Sequence, residues 1–201
     1  MDLYGAKTAI NARLNPVVDR MAAMGVSPDA VTLAAIPVAL LASACLILSP
    51  GTPWLLLAIP FLVLVRLGLN LVDGNLARRS GRVHARGELY NEVGDRLADI
   101  AFLAPVALLP GAAPIVVMAG VLAAVLASYV GVVARAAGGE RIYRGILSKP
   151  GRMALLAFVS VWAFVAGPGS QAPWAAFGPL LLIGALLTVA ERSLVAWRGL
   201  E

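Results

Sequence analysis

The sequence predicts an all-α integral membrane protein, with six transmembrane helices preceded by a cytoplasmic amphipathic juxtamembrane helix. Three observations carry this reading. The 201 residues are 60% hydrophobic and only 13% charged, where a soluble domain is roughly 45–50% apolar and about 25% charged. Six apolar segments approach the length of about 20 residues that a bilayer-spanning helix needs. The basic residues gather in alternate loops only. This composition excludes a soluble globular enzyme, a disordered chain and a nucleic-acid-binding domain. The net charge of +5 does not change that, because the basic residues sit between apolar segments and not along one soluble face. A single cysteine, Cys45, stands in an apolar run, so there is neither a disulfide framework nor a cysteine metal site. It reads as a small buried hydrophobe.

Residues 1–25 come first. Leu3, Ile10, Leu14, Val17, Met21 and Met24 recur at three-, four- or seven-residue steps, with Lys7, Arg13 and Arg20 between them. That pattern predicts an amphipathic helix on the cytoplasmic leaflet, or alternatively one packed on the protein itself. Ser27-Pro28-Asp29 then opens the first span, with a capping residue before a proline at the first helical position. The six spans fill residues 30–195: Ala30–Ser49, Pro53–Arg78, Glu88–Leu109, Ala113–Arg135, Arg152–Ala166 and Trp174–Val195. Ser49-Pro50-Gly51-Thr52-Pro53, Pro110-Gly111 and Gly167-Pro168-Gly169 are the turns between them. Little chain is left for anything else, so 1–201 reads as a single domain.

Loops 49–53, 109–114 and 167–173 hold no charged residue. The opposite side holds Arg78, Arg79, Arg82 and Arg86, then Arg135, Arg141, Arg144, Lys149 and Arg152, and finally Arg198. Positive loops stay cytoplasmic, which puts both termini on that side. Trp54, Trp174 and Trp197 suit an interfacial belt, and His84 reads as a solvated loop residue.

Charged side chains inside a span cost roughly 2.5–3.5 kcal/mol each on insertion scales. Here they concentrate in spans two and three. Arg66, Asn70, Asp73 and Ala77 step by four, three and four, and Asn91, Asp95 and Asp99 step by four. Each set is one stripe of a helix. At about 1.5 Å of rise per residue, Asp73 and Asn70 lie roughly 7–8 and 12 Å in from Arg78, while Asn91 and Asp95 lie roughly 4–5 and 10–11 Å in from Glu88. Four oxygen-bearing side chains therefore meet at similar depth, a donor set that suits Mg²⁺, Mn²⁺ or Ca²⁺. The plain alternative is a polar pairing that holds two helices together. Gly74 beside Asp73, with Ala77 and Gly87, leaves the backbone open to a diphosphate, and Arg78 can fork onto phosphate oxygens. Glu88, Glu92 and Asp99 add carboxylates nearby. Arg66 and Asp99, each about 16–18 Å in, are expected to pair and to close the floor.

Asn70-Leu-Val-Asp73-Gly74-Asn-Leu-Ala77-Arg78, eight residues, Gly87, three residues, Asn91, three residues and Asp95 resembles the signature of the CDP-alcohol phosphotransferases (CDP-alcohol phosphatidyltransferases). That membrane family carries Asp where this chain has Asn70 and Asn91. Every spacing matches, and Asp73, Gly74, Ala77, Arg78, Gly87 and Asp95 match in identity. The sequence is similar to a subgroup with asparagine at the first and third acidic positions.

The resemblance implies transfer of a substituted phosphate from a CDP-linked lipid such as CDP-diacylglycerol to an alcohol or phospho-alcohol acceptor, with release of CMP. It implies Asn70, Asp73, Asn91 and Asp95 as ligands of one or two Mg²⁺ or Mn²⁺ ions. Asp95 would be the base and Asp73 its catalytic companion, while Gly74, Ala77, Arg78 and Gly87 would hold the cytidine diphosphate. It also implies a homodimer in the cytoplasmic (bacterial inner) membrane. Amide oxygens coordinate hard cations but bring no charge, so one ion, or weaker affinity, is the expectation. Lys149 and Arg152, at the entry to span five, and Arg135 before it read as an anion pocket for an acceptor or lipid phosphate. The alternative for that loop is an anchor for lipid headgroups. Two other functions compete: a catalytically impaired lipid or nucleotide binder of the same fold, and a small transporter. The transporter is disfavoured by a polar stripe near one face and by the absence of an inverted repeat.

Overall fold

The computed structural model describes residues 14–81 and 85–200. Leu3, Lys7, Ile10, Arg13, Arg82 and His84 lie outside the described residues. The regular elements of the described residues are all helices: α1 (14–23), α2 (Pro28–Leu48), α3 (Ala58–Ser80), α4 (Ala85–Leu103), α5 (Pro114–Ala136), α6 (Lys149–Ala166) and α7 (Ala172–Gly199). Short 3₁₀ segments, Pro53–Leu57 and Ala104–Leu108, lead into α3 and out of α4.

Five segments are long and apolar enough to cross a membrane: α2, Pro53–Ser80, α5, α6 and α7. The fourth helix, α4, is not among them, because Arg86, Glu88, Glu92, Asp95, Arg96 and Asp99 all lie on it. Its far end is nevertheless in the core, where Phe102 and Leu103, and Val106 of the following 3₁₀ segment, are fully buried. Its outer face, Leu89, Val93, Leu97 and Ile100, is exposed.

The second helix is the shared wall of the bundle, packing along both α3 and α4, while α5 and α7 form a second close pair. One core joins them, through Leu46, Ile59, Phe102, Leu156, Phe177 and Leu181. Cys45 is buried in it, as its surroundings suggested. The first helix docks onto α2 and α3, with Val18 fully buried beside Val31, Val72 and Leu76. Asp19 pairs with Arg79. Val17 and Met24 stay exposed.

Pro28 is the first residue of α2, and Ser27 has the extended backbone of a capping residue but makes no side-chain cap bond. Two of the three expected belt tryptophans, Trp54 and Trp197, are exposed; Trp174, only 5% exposed, belongs to the core instead. Pro173-Trp174 lie in the first turn of α7, which tucks its apolar end inward.

Charged residues collect at one end of the bundle, where α3, α5 and α7 end and α4 and α6 begin. The segment 137–148 crosses that end. Two glycines let it lie close: a Cβ at Gly131 would come 2.5 Å from the Ile142 carbonyl oxygen, and one at Gly145 (φ +154°) would come 2.3 Å from Thr188 Cγ2. Gly131→Ala is therefore expected to cost about 1–3 kcal/mol by overpacking. Thermal unfolding in detergent measures this, and an unchanged midpoint would show that the segment sits elsewhere.

Candidate active site between α3 and α4

The apolar faces of α2 and α3 fix Asp73 at their contact. Thr32 Oγ1 donates to Asp73 Oδ2 at 2.9 Å, and the Gly74 amide donates to Oδ1 at 2.6 Å. Thr32 also donates to the Pro28 carbonyl at 3.3 Å. Asp73 and Asp95 are close enough to repel one another electrostatically. Facing Asp73 from α4, Asp95 Oδ1 accepts from Arg66 Nη2 at 2.7 Å and lies 2.7 Å from Lys149 Nζ. Asn70 Nδ2 reaches the same carboxylate at 3.4 and 3.5 Å. The interval between α3 and α4 is thus bridged by side chains that converge on one aspartate.

Because Asn70 turns its NH₂ toward Asp95, its Oδ1 is left over. Asn70 Oδ1 and Asn91 Oδ1 are both buried without a hydrogen-bond partner, a costly state for an amide oxygen. Coordination to a cation relieves that cost. With Asp73 and Asp95 they are hard oxygen donors, the chemistry a divalent ion of the Mg²⁺ or Mn²⁺ kind takes. Among the described residues no group of three or more His, Cys, Asp or Glu could hold a metal, so such an ion would depend on the two amides. Arg66 and Lys149 already match the charge of the two carboxylates, and a second divalent ion finds no further anionic ligand there.

The rim is more open. Arg78 is exposed and donates to Asn75 Oδ1 at 2.7 Å. Space beside Gly74 ends only at the Arg78 guanidinium, 3.7 Å from a Cβ placed there. Ala77 is half-buried, and Gly87 lies in the first turn of α4.

The expected Arg66–Asp99 pair is not formed. Arg66 joins Asp95, and Asp99 Oδ2 accepts from Arg152 Nη2 at 2.8 Å. Counting helical rise compares Cα positions, whereas a guanidinium reaches roughly a full turn, about 5 Å, beyond its own. The remaining carboxylates of α4 have partners of their own. Glu88 accepts from Arg135 at 2.7 Å, and Glu92 pairs with Arg96 at 2.6 Å and with Arg141. They stand along the rim and do not join the Asp73–Asp95 set.

Arg192 carries a role that its sequence position near the end of α7 does not reveal. Its guanidinium is buried and donates to three carbonyls: Arg144 at 2.8 Å, Tyr143 at 2.7 Å and Ala127 at 2.6 Å. Beside it, Thr188 Oγ1 accepts from the Leu147 amide at 2.8 Å. Together they pin the segment that delivers Arg141 and Lys149. Arg192→Leu would take this donor from the Tyr143 and Arg144 carbonyls, which lie outside any helix, at about 1–3 kcal/mol for each one that water cannot reach. Trypsin cleavage after Arg141 and Arg144 is expected to accelerate in this variant; an unchanged cleavage rate would rule out the clamp. Thr32 is the other residue that patterning missed, since a threonine in an apolar span bears no mark of the carboxylate it faces.

The same fold occurs in solved structures of the Mycobacterium tuberculosis phosphatidylinositol phosphate synthase PgsA1. With CDP-DAG bound, it aligns at a TM-score of 0.72 and 19% identity, over 90% of this chain and 92% of that one. Its complex with manganese and citrate aligns at 0.74 and 18% identity, over 90% and 88%. In sequence, the chain is 32% identical to the inner membrane protein YnbA of Escherichia coli strain K12 over 152 residues, 76% of this chain and 75% of that one. The family model of the CDP-alcohol phosphatidyltransferases matches residues 25–190. With Asn70 in contact with Asp95 and Asp73 near it, and with the match over residues 25–190, the chain belongs to the CDP-alcohol phosphatidyltransferase family.

Proposed function

We propose that the protein transfers the substituted phosphate of a CDP-linked lipid, such as CDP-diacylglycerol, to an alcohol and releases CMP. The observation that carries this is the pair of buried, unpartnered amide oxygens of Asn70 and Asn91 in the same motif as Asp73 and Asp95. One solved protein of the same fold, PgsA1, holds CDP-DAG in one structure and manganese with citrate in another, which supports a CDP-lipid and a divalent ion here.

In this reading Gly74, Ala77 and Gly87 leave room for the cytidine diphosphate and Arg78 takes its phosphate oxygens. Asp95, held in place by Arg66 and Lys149, removes the acceptor's hydroxyl proton. The hydroxyl oxygen then bonds to the phosphorus next to the lipid, and the bond to the CMP oxygen breaks. Among the described residues Asp95 Oδ2 has only the long Asn70 contact, which leaves it available for that proton. Asp73, fixed by Thr32 and the Gly74 amide, holds its carboxylate opposite. Mg²⁺ or Mn²⁺, held by Asn70, Asp73, Asn91 and Asp95, would supply neutralisation of the diphosphate charge. Lys149, Arg152 and Arg135 frame the acceptor side, each against an α4 carboxylate.

The proposed setting is the bacterial inner membrane, with the charged end and both termini cytoplasmic and the protein a homodimer. The exposed stripe of Leu89, Val93, Leu97 and Ile100 supports α4 as a sixth spanning helix, its charges turned inward.

Release of CMP from CDP-diacylglycerol by purified protein with Mn²⁺ tests the proposal. The acceptor panel is glycerol phosphate, inositol phosphate, serine, phosphatidylglycerol and inositol. Acceptor-dependent CMP release is expected; folded protein that releases none would overturn it. That result would favour the second reading, a lipid or nucleotide binder without activity, to which the two asparagines and the doubly paired Asp95 also conform. The double variant Asn70→Asp/Asn91→Asp is expected to bind Mn²⁺ about tenfold more tightly, because added carboxylates favour the cation. Unchanged affinity by titration would exclude these two positions from the ion.

A further inference from the structure

We propose that the acceptor is a polyol or other alcohol that carries no phosphate of its own. This rests on the transfer reaction above and names the acceptor class for the same site. The cations on the acceptor side are already engaged by carboxylates of one helix. Arg152 is held by Asp99, with side chains 1% and 4% exposed. Arg141 is held by Glu92, and Arg135 by Glu88. Lys149 shares Asp95 with Arg66.

A phosphate on the acceptor would bring roughly −1.5 to −2 charges and would have to displace a carboxylate from its arginine. For Asp99 and Glu92 that carboxylate would then be left buried without that partner, which costs more than the pair itself contributes, whereas Glu88 at the exposed rim would be left in solvent.

The polar atoms left over favour a hydroxyl. Asp99 Oδ1, an acceptor, and Arg152 Nε, a donor, are both buried without a hydrogen-bond partner. They belong to one ion pair, closed through Asp99 Oδ2 and Arg152 Nη2. A hydroxyl both donates and accepts and so has a bond to offer each kind of atom. A phosphate dianion has only acceptors and is repelled by Asp99.

Two measurements on the full chain in detergent decide this. The first compares matched acceptors, glycerol with glycerol 3-phosphate and inositol with inositol 1-phosphate, in CMP release from CDP-diacylglycerol with Mn²⁺. The unphosphorylated member is expected to have the larger kcat/KM by about tenfold or more. A preference for the phosphorylated member would overturn the inference and leave the transfer reaction standing. Absence of CMP with every acceptor would instead count against the transferase reading.

The second measurement does not depend on turnover. Inorganic phosphate is titrated against the thermal midpoint of the wild type and of Asp99→Asn, which frees Arg152 without changing side-chain shape. Phosphate is expected to bind the variant about tenfold more tightly. Glu88→Gln, at the exposed rim, frees Arg135 with little risk to folding and is expected to shift phosphate affinity in the same direction. Wild-type protein that binds phosphate as tightly as both variants would overturn the inference.

Discussion

Replacing Asp99 with leucine is expected to destabilise the protein by about 3–5 kcal/mol, the usual consequence of leaving one member of a buried ion pair alone. The stranded group would be Arg152, fully buried near the start of α6. Among the described residues its guanidinium would keep only a long 3.4 Å bond to the Leu147 carbonyl. Removing both charges in Asp99→Leu/Arg152→Met should recover most of the loss, because apolar side chains of similar volume replace buried pairs at little cost. A double-mutant cycle by thermal unfolding in detergent measures the coupling, expected at about 0.5–3 kcal/mol. The same cycle on Arg66 and Asp99 should give a value near zero, since neither holds the other. Coupling between Arg66 and Asp99 with none between Arg152 and Asp99 would mean that α4 is rotated from the orientation described.

Asp95→Asn is expected to lower kcat for CMP release by about 10²–10⁴-fold, the range for loss of a positioned base. It would also strand Arg66 and Lys149, which meet on the lost carboxylate, so lost stability must be separated from lost chemistry. Adding Lys149→Met to Asp95→Asn removes one surplus cation and should restore much of the stability while leaving turnover low. Asp73→Asn should cut turnover while keeping the fold, since an amide still accepts the Thr32 hydrogen bond. Full turnover in either purified variant would remove that aspartate from the mechanism.

The elements and the site were legible in the sequence to different depths. Apolar runs and Pro/Gly turns gave the helices to within a few residues, although α6 starts at Lys149, three residues before the expected span, and α7 runs on to Gly199. The spacing put Asp73 and Asp95 on helix stripes that lie near one another in the structure, because helical periodicity fixes which side chains share a stripe. Partner choice was not legible. Arg66 had two aspartates on the facing stripe, and helical rise alone favoured Asp99. Arg152 took Asp99 instead, a contact set by how α6 sits in the bundle. Trp174 looked interfacial because periodicity does not say which way a helix end tilts. Among the described residues Arg192 bonds only to main-chain carbonyls, and no sequence pattern marks which carbonyls a distant guanidinium will reach.

That last feature has a consequence for how the protein can diversify. The hold on segment 137–148 reads no side chain at positions 143 and 144. Arg192 grips their carbonyl oxygens, and every amino acid offers one. The residues displayed there can therefore be exchanged while the segment keeps its course over the charged end. Change is confined at Gly145, whose backbone and crowding admit no Cβ, and at the buried Ile142 and the core-packed Leu147. The bundle thus carries an interchangeable strip beside a fixed pair of aspartates, so new surface chemistry at positions 143 and 144 need not disturb the helices beneath.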